Sequence, residues 1–252
     1  MTDFTGVTVI LPTVTETRSL VETVETILRD CRPDIDSFLI VVCERTTPDC
    51  LDAAHDLQRR HGNIISICRQ VRPFLGGAIR DAFDLVKSSH LITMSSDLET
   101  DPRAVKALIA AARLNPGAIV AASRWLEGVR LPQGYGRIKW LCNLVFQRLF
   151  SFLYGTSLTD MTHGYRMFPT RLVRAIAWEE FRHAFLFETL VKPLRLGTPV
   201  IEVPTGWLIR VEGKSQNRAF NYLDYIRVGI TVRFRRQPAK LSAPHSPNPA
   251  VT

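Results

Sequence analysis

Two hydrophobic periods alternate through the first 125 residues, and that alternation leaves the chain very few folds. Val7-Thr8-Val9-Ile10-Leu11 is a short, largely apolar run closed by Pro12, and residues 18–30 then repeat Leu20, Val24, Ile27 and Leu28 along one helix face. The pattern recurs. Residues 38–42 predict a second strand, and residues 48–60, with Leu51, Ala54 and Leu57, a second helix. A third strand is expected at 64–67, then a Gly-Gly turn at 76–77 leading into a helix from Ala78 to about Lys87. Residues 91–94 and 119–122 predict two more strands with a helix between them that ends near Leu114. Apolar strands joined by helices imply right-handed crossovers and a mostly parallel sheet covered on both faces. The expected class is α/β.

In such sheets ligands bind beyond the carboxyl ends of the strands. Acidic residues stand at three of those ends: Glu16, Glu44, and the cluster Asp97, Glu99 and Asp101 in "SSDLETDP". Asp97 and Glu99, one residue apart, suit a hard cation such as Mg2+ or Mn2+, which takes one or two carboxylates and completes its shell with water and phosphate oxygens. Acids at this place also serve as caps of the following helix. The residues alone leave both readings open for Asp97 and Glu99, whereas Asp101, directly before Pro102, is read as the cap.

The second half is less regular. Residues 140–154, "WLCNLVFQRLFSFLY", are apolar apart from Asn143, Gln147 and Arg148. At about 1.5 Å per residue a helix of that length falls short of the ~30 Å hydrocarbon core of a bilayer. It is either a core helix or one dipping into a membrane interface. Residues 219–236 place Leu223, Ile226, Ile230 and Phe234 on one face, flanked by Tyr222 and Tyr225, with Arg233, Arg235 and Arg236 away from it. That pattern suits a membrane surface or packing back on the domain. From Lys192 to Lys240 there are ten Lys/Arg against three acids, within a net charge of +8. A basic surface of this kind can meet nucleic acid, anionic lipid or a phosphorylated small molecule, and no nucleic-acid reading motif accompanies it. Five cysteines without a C-x-x-C pair argue against a zinc site and for reduced thiols in a cytosolic setting. The N-terminus lacks the basic region and long apolar run of a signal peptide. The Pro/Ser/Ala-rich tail at 237–252 is expected to be disordered.

Several segments taken together resemble a known family. "VTVILPTVTETRSL", "FLIVVCERTTPDC", "GGAIRDAF" and "HLITMSSDLETDP" are similar, in order and spacing, to the first half of an inverting family 2 glycosyltransferase of the GT-A fold. "ASRWLEG", "DMTHGYRMF", "VIEVP" and "RVEGKSQ" resemble the dolichol- or polyprenyl-phosphate mannosyl- and glucosyltransferase branch, and the likeness runs from about Val7 to Arg236. It implies one Rossmann-like domain over 1–236, with a nucleotide-binding half to about 125 and an acceptor-binding half beyond.

The resemblance also implies roles. Pro12, Thr13 and Glu16 fall where the family holds the nucleotide, with Glu44 near the base or ribose. Asp97 matches the last acid of the Asp-x-Asp metal motif, and Glu99 a position whose side chain can also meet the metal. Arg210 and Lys214 match the segment over the diphosphate, and Arg124 and Arg137 the arginines that receive the acceptor phosphate. Ser95 stands in the nucleotide site where the first acid of the motif is expected, and Cys43-Glu44-Arg45 replaces Asp-Asp-Gly. The implied activity is metal-dependent transfer of a hexose, mannose first, from GDP-mannose or UDP-glucose to a polyprenyl phosphate. The implied place is the cytoplasmic membrane face, held peripherally or through a membrane-protein partner. The alternatives are a family 2 enzyme acting on a glycan hydroxyl, with Asp160 as its base, or an inactive membrane scaffold. Asp160 is otherwise read as holding the loop that carries Arg166, and His163 as a loop residue without a catalytic role.

Overall fold

A computed structural model describes residues 3–126, 137–206, 212 and 221–235. The alternation expected of the first half is present. β1 (Val7–Pro12), α1 (Arg18–Cys31), β2 (Ile35–Val42), α2 (Pro48–His61), β3 (Ile65–Arg69), α3 (Phe74–Leu85), β4 (His90–Thr93), α4 (Val105–Leu114) and β5 (Ile119–Ser123) follow one another. The second half adds α5 (Arg137–Tyr154), β6 (Arg166–Pro169), α6 (Thr170–Ala175), α7 (Phe185–Arg195), β7 (Val200–Pro204) and α8 (Asn221–Phe234).

The strands form one sheet in the order β3-β2-β1-β4-β6-β5-β7. Only β6 runs against its neighbours, pairing antiparallel with both β4 and β5. Burial on both faces explains the apolar strands. Val7, Val9 and Leu11 point into a core with Leu20, Val24 and Ile27 of α1 and Leu108 of α4. Ile10 and Leu91 point the other way, against Ile79 and Phe83 of α3 and Phe185 of α7. A third, smaller core joins α5, α7 and α8 through Phe146, Phe150, Phe187, Tyr225 and Val228.

Chain order positions the site. From β1 the chain steps outward to β2 and β3, then crosses back to pair β4 on the opposite edge of β1. The connections on either side of β1 therefore diverge, opening a crevice at the carboxyl ends of β1 and β4.

One expected turn is corrected. Gly76 and Gly77 lie inside α3, which begins four residues earlier than expected and ends at Leu85. The two glycines serve close approach. The Gly76 N–H donates to the Phe181 carbonyl at 2.6 Å. A Cβ on Gly76 would lie 2.7 Å from that carbonyl's carbon and oxygen, and one on Gly77 2.4 Å from the Arg72 oxygen. Gly76→Ala should therefore lower stability by about 1–3 kcal/mol, although alanine is intrinsically the better helix former by about 1 kcal/mol. For a chain of this size each kcal/mol moves the melting midpoint by roughly 2–4 °C. An unchanged or raised midpoint would contradict the close-approach account.

Candidate active site

Because β1, β2, β4, β5 and β7 are mutually parallel, their carboxyl ends emerge along one edge of the sheet, and antiparallel β6 begins there. The loop after β1 is tied down from several sides. Thr13 donates its N–H to Val41 at 2.9 Å, and the Thr46 hydroxyl donates to the Thr13 carbonyl at 3.0 Å. Glu16 turns its carboxylate back on the loop, where Oε2 accepts from the N–H groups of Val14 at 2.7 Å and Thr15 at 2.9 Å. The buried Thr13 hydroxyl lies beside the Cys50 thiol and makes no other hydrogen bond among the described residues. A buried hydroxyl with so few partners at a strand end fits a ligand bound at this loop. Glu44 is exposed at the tip beyond β2.

The carboxylate loop leaves β4 beside it. Asp97 is buried, and its Oδ1 accepts from the Ser95 hydroxyl at 2.7 Å and the Glu99 N–H at 3.0 Å. Ser95 also hydrogen-bonds to the Thr100 hydroxyl at 3.1 Å. The serine in place of the motif's first acid thus orients the remaining one. Between Asp97 and Glu99, Leu98 has φ of +60°, a left-handed conformation costing a branched residue roughly 1–2 kcal/mol. Strain of this kind gathers where function requires a fixed turn. Asp101 caps the next turn as expected, accepting from the Arg103 N–H at 3.0 Å.

No group of three or more His, Cys, Asp or Glu able to hold a metal occurs among the described residues. A Mg2+ or Mn2+ that shares its shell with substrate phosphate requires only one or two carboxylates. The donor set at Asp97 and Glu99 fits such an ion.

Across β6 lies a second polar cluster. Arg124, just beyond β5, meets Asp160 side on: Nε to Oδ2 at 2.7 Å and Nη2 to Oδ1 at 3.0 Å. The Asp160 side chain is wholly buried. Glu202 of β7 supports it from behind, accepting from the N–H groups of Thr159 at 2.8 Å and Asp160 at 2.9 Å. Gln147 of α5 accepts from the Met161 N–H at 2.7 Å. Burial alone would raise the Asp160 carboxyl, but the guanidinium of Arg124 outweighs it and holds the group at about 2. An acid so held is ionised and engaged, unsuited to act as a base near neutral pH. It does hold the loop toward Arg166, accepting from the His163 N–H at 3.2 Å. His163 is kept neutral, pushed down to about 4 by burial and then by Arg124, while its Nδ1 meets the Ala122 carbonyl at 2.9 Å. Arg166 is an internal strut, donating to the Met161 carbonyl at 2.7 Å and the Thr189 hydroxyl at 3.1 Å.

Sequence reasoning missed Glu202 and Gln147 as supports. Their signal was a lone acid in the strand "VIEVP" and an Asn143/Gln147 pair one helical turn apart in an apolar helix. Of the predicted site residues, Pro12, Thr13, Glu16, Glu44, Ser95, Asp97, Glu99 and Arg124 lie along this edge. Arg137 opens α5, but its side chain, like Arg210 and Lys214, lies outside the described residues.

Helices α5 and α8 pack together and turn apolar stripes outward. Phe150 lies against Gly229, the Tyr154 hydroxyl donates to the Gly229 carbonyl at 2.7 Å, and Arg233 donates to the Leu153 carbonyl at 2.7 Å. Leu141, Val145, Leu149 and Phe152 of α5 are exposed, as are Leu223, Ile226, Ile230 and Phe234 of α8. On α8 the inward face is Tyr225, Val228 and Val232, so Tyr225 is a core residue and not a flank of the outward stripe. Among the described residues no helix is long and apolar enough to cross a membrane.

Residues 8–177 match the family model described as glycosyl transferase family 2, and the chain belongs to that family. An undecaprenyl-phosphate mannosyltransferase of Micrococcus luteus is 28% identical over 222 residues, 82% of this chain and 85% of that protein. Glycosyltransferase AglD of Haloferax volcanii is 26% identical over 211 residues, 80% of this chain but 33% of the longer relative. Among solved structures, glucosyl-3-phosphoglycerate synthase of Mycobacterium tuberculosis with Mn2+, uridine diphosphate and glucosyl-3-phosphoglycerate aligns at a TM-score of 0.68 and 16% identity, over 90% of this chain and 79% of that one. The likeness establishes a shared GT-A fold. The chain is a glycosyltransferase.

The Arg124–Asp160 pair gives a test by acid. Because the folded Asp160 carboxyl stays at about 2, below the ~3.9 of an unfolded aspartate, its stabilisation is complete above ~pH 4 and is lost as pH falls toward 2. Asp160→Asn should cost about 3–5 kcal/mol at pH 7 by leaving Arg124 without its counter-charge. Denaturant melts across pH should show that gap narrowing between pH 4 and 2; a gap independent of pH would contradict the ion-pair assignment.

Proposed function

We propose that this chain transfers a hexose from a nucleoside-diphosphate sugar to a polyprenyl phosphate at a membrane surface, with GDP-mannose the first donor to test and UDP-glucose the second. The observation that carries the lipid acceptor is the pair of outward apolar stripes on the packed helices α5 and α8. Exposed Arg148 on α5 suits anionic headgroups, whereas Arg227 and Arg235 are paired with Glu180 and Glu179. The Micrococcus relative, named for undecaprenyl phosphate, supports the same acceptor. The protein would sit peripherally on the cytoplasmic leaflet, alone or with a membrane-protein partner.

The chemistry asks for placement more than proton transfer. A phosphate monoester is largely dianionic at pH 7, so its oxygen can attack the anomeric carbon without a base. The new C–O bond forms as the bond to the donor's β-phosphate breaks, with inversion, and the nucleoside diphosphate leaves. Arg124, fixed in plane by Asp160, and Arg137 would receive the acceptor phosphate, as guanidinium geometry suits. Pro12, Thr13, Glu16 and Glu44 would form the nucleotide side, and Arg210 and Lys214 would lie near the diphosphate. Asp97, oriented by Ser95, and Glu99 would hold Mg2+ or Mn2+, which would neutralise charge developing on the leaving diphosphate. The glycan-hydroxyl alternative would need a base, and Asp160 is engaged by Arg124.

Two tests follow. A nucleoside diphosphate at about 100 times its Kd should stabilise the protein by ~2.7 kcal/mol, in the presence of Mn2+ and not of chelator. Asp97→Asn should abolish that difference, and unchanged metal-dependent binding would remove Asp97 as a ligand. Leu149→Ser with Phe152→Ser and Ile230→Ser should release the protein from anionic vesicles while leaving it folded, because all three side chains are exposed. Undiminished vesicle binding would show that these stripes are not the anchor.

A further inference from the structure

His163 carries a hydrogen-bonding group that nothing described so far uses. Its Nδ1 lies 2.9 Å from the Ala122 carbonyl, an oxygen that can only accept, so Nδ1 bears the proton. Burial and then Arg124 push the imidazole down to about 4, so near neutral pH the ring is uncharged. Nε2 is then a lone-pair acceptor, and it makes no hydrogen bond among the described residues. The residue is half-buried rather than sealed in the core. It presents a fixed acceptor with nothing bound to it.

The ring is held between the two ends of the proposed site. Residues 163–165 lead into β6, which the sheet order places between β4 and β5. On one side the Thr93 hydroxyl, at the end of β4, donates to the Gly164 carbonyl at 2.8 Å. On the other, the Ala122 N–H of β5 donates to the Tyr165 carbonyl at 3.0 Å. Tyr165 meets the imidazole edge on, with ring centroids 6.0 Å apart at 87°, and its hydroxyl donates to the Asp101 carbonyl at 3.2 Å. The imidazole therefore stands between the carboxylate loop that follows β4 and the Arg124–Asp160 pair beyond β5. As a loop anchor alone it would be superfluous. Thr93 already holds Gly164, and Glu202 and Gln147 already hold residues 159–161.

In a transfer from a diphosphate held at Asp97 to a phosphate held at Arg124, the hexose occupies the ground between them. We propose that His163 is a specificity-determining residue for that hexose: Nε2, held as an acceptor by the Ala122 carbonyl, takes a hydrogen bond from one hydroxyl of the sugar. The inference rests on the donor and acceptor places proposed above. A neutral acceptor suits this position, because a hydroxyl always has a proton to give and an uncharged ring does not draw the phosphates on either side out of place.

The experiment measures, by calorimetry on the full chain with Mn2+, the affinities of GDP, UDP, GDP-mannose and UDP-glucose, and of the singly deoxygenated forms of the sugar nucleotide that binds. One deoxy form should bind about fivefold or more weakly than its parent, because it leaves Nε2 unpaired. His163→Phe should weaken the parent sugar nucleotide by a similar factor, leave the free nucleoside diphosphate unchanged, and erase the penalty for that deoxy form. His163→Gln, whose amide can donate to the Ala122 carbonyl and still offer an oxygen, should keep the fold and recover part of the lost affinity. Equal losses for the nucleoside diphosphate and its sugar form would overturn the inference, as would a deoxy penalty that persists in His163→Phe. Deoxy forms that all bind the unaltered protein like the parent would overturn it as well. If the unaltered protein binds no nucleoside diphosphate at all, the donor site itself is misread and the inference falls with it.

Discussion

Strand β1 is hydrogen-bonded along both edges and buried on both faces, and the geometry of the site depends on it. A strand so enclosed has no freedom of register, because a slip by one residue would exchange its two faces. Its end at Pro12 therefore fixes where the 12–16 loop, proposed to hold the nucleotide, begins. Its pairing with β2 and β4 fixes, at the same height, where Glu44 and the carboxylate loop begin. The short antiparallel β6 then carries the arrangement across to β5 and β7, setting Arg124 and the Asp160 loop on the same edge.

On that scaffold the polar groups divide into those proposed to face a ligand and those that hold others in place. Ser95 and the Glu99 amide orient Asp97; Asp160 orients Arg124, and Glu202 and Gln147 hold the Asp160 loop. Buried charges are costly unless paired and hydrogen-bonded, and here each buried carboxylate sits among several donors. The result is a row of pre-aimed groups, as expected of a reaction whose barrier is lowered chiefly by alignment and charge stabilisation.

Much of this was legible in the sequence because the first half repeats one simple unit. Five strands and their helices followed from apolar periodicity alone, and the acids at strand ends marked the edge where the donor is proposed to bind. What was not legible had physical reasons. Gly76 and Gly77 read locally as a turn, but their purpose is contact with Phe181 and Arg72, the former a hundred residues on. Strand β6 is four residues long and begins with a buried arginine, so no hydrophobic run announces it. For α8 the periodicity picked out the outward stripe and gave Tyr225 to its flank, because a helix apolar on two sides has no unique inward face by pattern alone. The capping of α1 by Glu212, whose carboxylate accepts from the N–H groups of Thr17 and Ser19, is set by tertiary proximity and leaves no local trace.

The central claim, a hexosyl transfer whose acceptor is a lipid phosphate, is most directly tested by incubating the protein and Mn2+ with labelled GDP-mannose or UDP-glucose and vesicles containing a polyprenyl phosphate. The account predicts a labelled lipid product with inverted anomeric configuration, formed in step with nucleoside diphosphate release and absent when the lipid bears a free hydroxyl in place of phosphate. Transfer to a soluble glycan or to water alone, with no labelled lipid, would contradict it.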